Sequence, residues 1–506
     1  MAEITPIGQL ALHYALQTNL PLPTTRSATI DGARRTVVSV GYVDEFYPRH
    51  YSTDGSLIGN IRFALKHEPL DLRIIHAALV ALGELQLIAW LRDEHTGIFS
   101  RRAWFFYETL TGNVVDIDDV LTGNYVDALD PRKHFVAPPR NSKRHRVRDN
   151  LLGTRDFCPV VRRTAKIEAM IASDIKAEAM ALTTKYSAEV LARSANFLIT
   201  KETRSSFAIE GETPSSGREE RFAAALRSVP SFIHDRKESI IALQSQIVDA
   251  RYAAKDWRDF QNFVGETTSG LNEHVHYVCP RPDDVPVLMN GWMLLTQRLI
   301  DSSLDPVIAA GVSAFAFVFV HPFEDGNGRI HRFIVHYMLA KCGFSPPGVV
   351  FPISASILRQ MHLYDKALEA FSEVIMPAID WKFTLEGQLE VRNDTSSLYR
   401  FFDATPQVEF LYDRVLDTVR VDFKKELEFL DEFDRALAAV QSVIDMPDRR
   451  AALLAKLCIQ NKGRLSVTKR PMFGEITDEE IRQVEEAIAT SRREGETEGV
   501  PDLRQL

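Results

Sequence analysis

Residues 321–332 read HPFEDGNGRIHR and place histidines, carboxylates, glycines and arginines within one short segment. The apolar run before it, AAGVSAFAFVFV, is predicted to be a helix that ends at His321, because Pro322 disfavours helical geometry in the residue before it. After it, apolar residues recur at helical spacing at Ile330, Phe333, Ile334, Tyr337 and Met338. FEDGNG is therefore predicted to be a tight loop that leads into a second helix.

This loop has the chemistry of an anion site. The first amides of a helix lack partners within the helix, and the positive end of the helix dipole favours negative charge. Gly326 and Gly328 can adopt the positive φ values that turn successive N–H groups inward. Arg329 and Arg332 share one helix face and can add bidentate contacts. Two arginines and a glycine loop exceed the needs of one phosphate, so we predict a polyphosphate ligand.

The same segment contains groups suited to metal binding and proton transfer. Polyphosphates usually carry Mg²⁺, which prefers oxygen ligands, and Asp325 is the expected carboxylate. His321 is the expected proton acceptor near neutral pH. His331 and His336 are interpreted as structural or solvent-facing. The alternative is an interhelical turn whose charges merely face solvent, but this combination of groups is hard to assign to a turn.

The pattern His-Pro-Phe-x-Asp/Glu-Gly-Asn-Gly-Arg-x-x-Arg is the signature of Fic-domain proteins, and residues 321–332 match it without a departure. The chain resembles this family over roughly residues 200–385. The resemblance implies that His321 deprotonates a target hydroxyl while Asp325 holds Mg²⁺. The nucleotide-binding residues expected are Asp325, Gly326, Asn327, Gly328, Arg329, Arg332 and Tyr364.

The reaction implied by the resemblance is transfer of AMP from ATP to a Ser, Thr or Tyr hydroxyl of a target protein, with pyrophosphate leaving. Family members that phosphorylate instead carry Lys where this chain has Gly328, which favours AMP transfer. Three alternatives are kept. They are hydrolytic removal of AMP, transfer of another nucleotide such as UMP, and a nucleotide-sensing regulatory or binding protein.

A second motif, SFAIEG, begins at Ser206 and resembles the Ser/Thr-x-x-x-Glu-Gly/Asn motif of self-inhibited Fic proteins. Ser206 and Glu210 are one helical turn apart on one face, and Gly211 completes the motif. By resemblance, Glu210 would reach Arg332 and remove the clamp on the γ-phosphate. We therefore expect an autoinhibited enzyme.

Residues 273–288, EHVHYVCPRPDDVPVL, alternate apolar and polar residues before a Pro-Asp-Asp turn, which predicts a short hairpin. A plain loop is the alternative. By resemblance the hairpin is the target-docking flap of the family. His276, Tyr277 and Val278 would form an unpaired edge to which an extended target segment can add.

The chain as a whole is predicted to be mainly α, with an all-helical Fic core and the hairpin flap between two helical flanks. We expect an N-terminal helical domain at 1–155, a Fic domain at 160–385 and a C-terminal helical region at 392–506. The Fic domain would include the inhibitory helix at about 200–212. No chemistry is assigned to the flanks.

Composition limits the partners. The net charge of −9 argues against a generic nucleic-acid binder. Four dispersed cysteines without a CxxC pair argue against a disulfide framework and a zinc site. We expect a cytoplasmic protein without a membrane partner, because the N-terminus lacks a secretory signature and the longest apolar run is short. ATP and a target protein are the expected partners. The protein itself is a candidate target, and a homo-oligomer is left open.

Overall fold

The structure is a computed structural model that describes residues 4–17, 19–39, 41–267, 273–346 and 348–498. The chain divides into two compact units. The first holds Met1–Lys176 and Ile199–Leu416, and the second holds Ala177–Leu198 and Asp417–Leu506. Helices dominate the described residues, which confirms the predicted mainly α class.

The first unit begins with a four-stranded sheet and four helices. The strands are β1 (Thr5–Ile7), β2 (Thr25–Ile30), β3 (Arg35–Ser39) and β4 (Tyr42–Pro48). Their order is β1-β2-β4-β3, with β2 parallel to β4 and the other neighbours antiparallel. The helices are α1 (Gly8–Leu16), α2 (Leu57–His67), α3 (Leu72–Asp93) and α4 (Ile98–Thr111). Apolar residues of all four helices share one core.

This sheet corrects the expectation of a helical domain at 1–155, because strands accompany the helices there. Strands of three to seven residues are too short to show a clear alternating pattern, although β-branched residues such as Val37 and Val38 favour extended backbone. Further short strands follow α4, namely β5 (Val126–Asp127), β6 (His134–Phe135), β7 (Arg140–Ser142), β8 (Val147–Asp149) and β9 (Val161–Arg162). They form a three-stranded sheet, β5-β8-β7, and a pair, β6-β9.

Among the described residues, α3 is the one helix long and apolar enough to cross a membrane by length and composition. Its backbone is interrupted at Gly83, where φ is 72° and ψ is 163°. Ile74, Leu79 and Leu91 of α3 are fully buried in the core of the first unit. Packing within the unit therefore accounts for the apolar residues on the buried side of α3, whereas Val80 and Leu85 are exposed.

Helices build the rest of the first unit. Two of the unit boundaries fall within α6 (Ile175–Thr183) and α7 (Ala188–Ile209), which follow α5 (Ala165–Ala172), and the third lies after Leu416. The next helices are α8 (Ser216–Arg227), α9 (Lys237–Ile247), α10 (Val285–Ile300), α11 (Pro306–Val320) and α12 (Asn327–Lys341). The last are α13 (Ile353–Arg359), α14 (Met361–Ile375), α15 (Ser396–Arg400) and α16 (Thr405–Asp417).

The quoted loop joins α11 to α12, as the sequence predicts. The Asp305 side chain caps α11 by accepting a hydrogen bond from the Val307 amide, and Pro306 supplies the preset φ of a first helical residue. α12 begins at Asn327, two residues before the expected start, and Gly343 follows its end with a φ of 70°. Both helices are almost wholly buried, so the loop between them is held by a rigid core.

A hairpin lies near this loop, but its strands differ from the predicted ones. Strand β10 (Phe263–Thr267) pairs antiparallel with β11 (Glu273–Val278). The residues after β11 do not form a second strand, because Pro282–Asp284 is a 3₁₀ turn and α10 follows at once. Proline is well suited to the first positions of helical segments, which explains this outcome for the Pro-Asp-Asp sequence. Strands β12 (Trp381–Phe383) and β13 (Leu389–Val391) form another antiparallel pair.

The second unit is helical. A π-helical turn at Thr418–Phe423 leads into α17 (Lys424–Val443), followed by α18 (Asp448–Gln460) and α19 (Asp478–Glu498). Its core includes Val440, Leu454 and Val484. Before α19, the Thr477 hydroxyl accepts a hydrogen bond from the Glu480 amide, and the Glu480 carboxylate accepts one from the Thr477 amide. This reciprocal capping box satisfies amides that the helix leaves unpaired.

Candidate active site

A cavity of about 650 Å³ lies over the loop that joins α11 to α12. The predicted site residues that line it are Glu210, His276, Tyr277, His321, Asp325, Gly326, Asn327, Gly328, Arg332 and Tyr364. Four others, Ser206, Gly211, Val278 and Arg329, are not on its surface, although Ser206 and Arg329 contact residues that are. The structure therefore brings residues from four separate segments of the sequence to one cavity.

His321 stands at the end of α11 in a left-handed conformation, with φ 51° and ψ 58°. Its Nδ1 lies 3.2 Å from the carbonyl oxygen of Val318. Since a carbonyl can only accept, Nδ1 carries the proton and Nε2 keeps its lone pair. Burial, together with the smaller effect of the Arg258 charge, lowers the pKa of His321 to about 4, although the hydrogen bond to the Val318 carbonyl and the charge of Asp325 oppose the shift. At neutral pH, His321 is an uncharged base with a free acceptor nitrogen.

The two glycines of the loop have different roles, which corrects the expectation of positive φ at both. Gly326 precedes α12 with a φ of 91°, and a Cβ there would lie 2.8 Å from Cγ1 of Val248. Gly328 has no such backbone requirement, because it lies within α12. A Cβ on Gly328 would instead lie 2.7 Å from Oε1 of Glu210. Gly326 permits the turn, and Gly328 makes room for a carboxylate.

The side chain of Asn327 makes its hydrogen bonds within the loop. Its Oδ1 accepts a hydrogen bond of 3.1 Å from the Phe323 amide, and its Nδ2 donates one of 2.9 Å to the Phe323 carbonyl. The side-chain amide therefore holds the shape of the loop rather than being free for phosphate. A phosphate contact from Asn327 would come from its main-chain N–H in the first turn of α12.

Asp325 has a carboxylate that could serve a metal ion. Its Oδ1 accepts hydrogen bonds from the Gly326 amide at 2.6 Å and from Nη2 of Arg329 at 2.9 Å. Its side chain is 41% exposed and lines the cavity. In the described part of the chain, no group of three or more His, Cys, Asp or Glu residues could hold a metal by itself. A single carboxylate fits a Mg²⁺ ion whose other ligands are phosphate and water.

Ser206 of α7 and Glu210, which follows the end of α7, both bind the guanidinium of Arg332. Nε of Arg332 donates to the Ser206 hydroxyl at 2.6 Å, and Nη2 donates to the Ser206 carbonyl at 2.9 Å and to Oε1 of Glu210 at 2.6 Å. The structure thus brings the two motifs into contact. It adds an ion pair that the sequence did not predict, between Oε2 of Glu210 and Nε of Arg329 at 2.9 Å. Gly211 ends α7 with a φ of 69°.

Tyr364 lies on α14, at the wall of the cavity. Burial raises the pKa of its hydroxyl, and the positive charge of Arg332 opposes the rise. Tyr364 and Arg332 line the same cavity, and the contact of Tyr364 with nucleotide stays a prediction.

Two flap residues do not form the predicted open edge. Val278 is fully buried, pairs with Phe263 of β10 and donates its amide to the Met376 sulfur at 3.3 Å. The Tyr277 hydroxyl donates to the Phe319 carbonyl in the core. Both residues are apolar enough to be drawn inward at this end of the strand. His276 lines the cavity, and so does Val264 of β10, which is 42% exposed.

His331 and His336 are buried and have structural roles, which agrees with the first of the two interpretations, structural or solvent-facing. The His331 ring bonds to the Ala314 carbonyl at 2.9 Å, and Nε2 of His336 lies 2.9 Å from Oε1 of Glu202. Glu202 is a fully buried carboxylate on α7 that also accepts the Ser354 amide at 2.8 Å. Sequence reasoning missed Glu202, and no motif signals it.

Sequence reasoning also missed two residues that brace the loop from behind. Gln244 of α9 donates to the Asp325 carbonyl at 3.2 Å, and Arg258 donates to the His321 carbonyl at 2.8 Å. Both side chains are buried. Their acceptors are main-chain carbonyls, which every residue has, so spacing in the sequence cannot reveal these contacts.

Residues 235–339 match the Fic/DOC family. A protein adenylyltransferase Fic from Nematostella vectensis is 30% identical over 132 residues, which cover 24% of this chain and 28% of the relative. One from Drosophila willistoni is 37% identical over 76 residues, or 15% of each chain. The chain thus matches less than a third of the length of these curated relatives.

A solved structure of a Fic family protein from Desulfovibrio desulfuricans G20 is similar at 19% identity and a TM-score of 0.37, covering 59% of this chain and 88% of that one. The family match includes the loop and the hairpin, whereas the segment that begins at Ser206 lies before it. Residues 235–339 of this chain are therefore a Fic domain.

Proposed function

We propose that this protein is an adenylyltransferase that transfers AMP from ATP to a hydroxyl group of a target protein. The observation that carries the proposal is one cavity in which an uncharged histidine base faces the start of a helix and a buried arginine. Phosphoryl-type transfer requires mainly positioning and charge stabilisation, which this arrangement can supply. The curated relatives named protein adenylyltransferase support the same reaction.

In the proposed reaction, Nε2 of His321 takes the proton of the target hydroxyl. The hydroxyl oxygen forms a bond to the α-phosphorus of ATP as the bond to the bridging oxygen of the β-phosphate breaks. AMP stays on the target, and pyrophosphate leaves. The N–H groups at the start of α12 would face the phosphates, where the helix dipole favours negative charge. Asp325 would hold Mg²⁺, which when bound neutralises charge on the phosphates.

We further propose that Glu210 inhibits this activity. The Glu210 carboxylate pairs with both arginines of the loop, so it competes with phosphate oxygens for the same guanidinium groups. It also lies against Gly328, at the point where nucleotide would enter the start of α12. Wild-type protein is therefore expected to be a weak enzyme.

The test compares incorporation of label from ATP labelled at the α- or the γ-phosphate, with Mg²⁺ present. The variants are wild type, Glu210→Gly and the double variant Glu210→Gly with His321→Ala. We expect Glu210→Gly to label itself from α-labelled ATP only, with the double variant inactive. Label from the γ-phosphate would identify a kinase instead. A parallel reaction uses α-labelled UTP, and labelling from UTP but not from ATP would identify a uridylyltransferase. Absence of any label from Glu210→Gly would refute the proposal.

A further inference from the structure

Arg258 is a buried cation that the structure holds by main-chain carbonyls. Its side chain donates to three of them: Nε to His321 at 2.8 Å, Nη1 to Phe260 at 2.8 Å and Nη2 to Pro280 at 2.6 Å. Its own amide donates to the Pro322 carbonyl at 2.9 Å. Arg258 thereby grips two consecutive carbonyls at the beginning of the loop.

The other two acceptors lie at the base of the hairpin. Phe260 precedes β10, and Pro280 follows β11. The Cys279 amide donates to the Asn262 carbonyl at 3.1 Å and closes the same base. Arg258 therefore connects both ends of the hairpin to His321 through hydrogen bonds.

This arrangement is costly, which makes a purely incidental role a poor explanation. Arg258 is 5% exposed, and among the residues that the structure describes no carboxylate lies within 4 Å of its guanidinium. Burying a cation without a counter-charge is unfavourable unless its donors are satisfied. The hydrogen bond from Arg258 to the His321 carbonyl also holds His321 in a left-handed conformation, which a residue with a Cβ rarely adopts. Burial and the nearby Arg258 charge favour the uncharged imidazole, while Asp325 opposes them.

We propose that Arg258 is a positioning residue for the AMP transfer proposed above, on which this inference rests. It fixes the His321 main chain relative to the hairpin, so that the base and the target-facing strands keep one geometry. ATP binding depends on the residues that line the cavity, whereas proton transfer depends on the alignment of His321 with the hairpin. Loss of Arg258 should therefore slow the reaction more than it weakens ATP binding.

The test uses the full chain with Glu210→Gly as the parent. Arg258→Met removes the charge and all three side-chain bonds, and Arg258→Lys keeps the charge but lacks the planar fork. Arg102→Met is the matched control. Arg102 is also buried and donates to the carbonyls of Leu65 and Ala128, but it does not line the cavity.

The first readout is self-labelling from α-labelled ATP, as a function of ATP concentration. We expect Arg258→Met to lower the rate at saturating ATP by about ten- to a hundredfold, with less than about a threefold change in apparent KM. Arg258→Lys should lie between Arg258→Met and the parent, and it serves as the test if the Met variant does not fold. Arg102→Met should keep the rate of the parent.

The second readout does not depend on activity. Nitrogen-15 spectra of labelled histidine report the tautomer of the ring, and the His321 signal is identified by its loss in His321→Ala. We expect the Nδ1-protonated form in the parent and a mixture of tautomers in Arg258→Met. Equal slowing by Arg258→Met and Arg102→Met, or an unchanged rate and spectrum in Arg258→Met, would overturn the positioning role. A parent that does not label itself refutes the adenylyltransferase proposal instead, and the spectra still decide the role of Arg258.

Discussion

Removal of the Glu210 carboxylate should tighten ATP binding by an amount that the contacts allow us to work out. Glu210 accepts from Arg332 at 2.6 Å and pairs with Arg329 at 2.9 Å. In a Glu210→Gly variant, Arg329 keeps the Asp325 carboxylate, whereas Arg332 keeps hydrogen bonds to the uncharged Ser206 and loses the carboxylate with which it pairs. Arg332 is therefore the guanidinium that becomes available to a phosphate. A hydrogen bond between charged groups contributes about 1.5–3 kcal/mol. If a γ-phosphate replaces the carboxylate, that amount corresponds to roughly ten- to a hundredfold higher affinity.

The measurement is isothermal titration with ATP and Mg²⁺, with His321→Ala in every protein to prevent turnover. Glu212→Gly is the matched control, because Glu212 lines the same cavity but lies 3.8 Å from Arg329 and pairs with Arg218 at 2.5 Å. A weaker contact of this kind should change affinity by less than about threefold. The reasoning is refuted if Glu210→Gly binds ATP no more tightly than its parent, or if both substitutions raise affinity equally.

Four further predictions concern the base, the metal and the hairpin. His321→Ala in the Glu210→Gly background should lower transfer by about 10²- to 10⁴-fold. Because the pKa of His321 is about 4, its ring stays uncharged above that pH, and we expect activity to be constant from pH 7.5 to 5.5 and to fall only as the pH approaches 4. An enzyme whose base was an ordinary histidine would lose about tenfold in activity by pH 5.5. A pH–rate profile distinguishes the two cases. Asp325→Ala should raise the Mg²⁺ concentration needed for half-maximal labelling, and full activity in excess EDTA would contradict the proposed metal role. Val278→Asp should lower the free energy of unfolding by about 3 kcal/mol or more in urea, because it buries an unpaired charge, whereas Val264→Asp at an exposed site should cost under about 1 kcal/mol.

The elements around the loop could be predicted because their sequence signals are local. A proline after His321, an apolar run before it and helical spacing after it all act within one or two turns. These helix and loop signals are carried by side-chain types at set spacings, which a sequence displays directly. The contact between Glu210 and Arg332 was expected instead from the resemblance of two motifs, one containing Glu210 and the other Arg332, to those of self-inhibited Fic proteins.

Contacts that depend on packing between distant segments could not be predicted in this way. The side chain of Asn327 turned to the Phe323 main chain because the folded loop places that amide and carbonyl beside it. Val278 lies buried at the end of a hairpin whose first strand was not recognised, where it pairs with Phe263 and contacts the Met376 sulfur. The N-terminal sheet escaped notice because three to seven residues of strand carry little periodicity.

The absence of a side chain at Gly328 limits which substitutions this position can accept in evolution. Any side chain at this position would place its Cβ 2.7 Å from Oε1 of Glu210, and the end of that flexible side chain is the part that can give way. Exchanging Gly328 for a larger residue would therefore displace the carboxylate while leaving α7 intact. Gly328 thus contributes to two features at once, the start of α12 and the space that the Glu210 carboxylate occupies. A single substitution at this position would change both of them together.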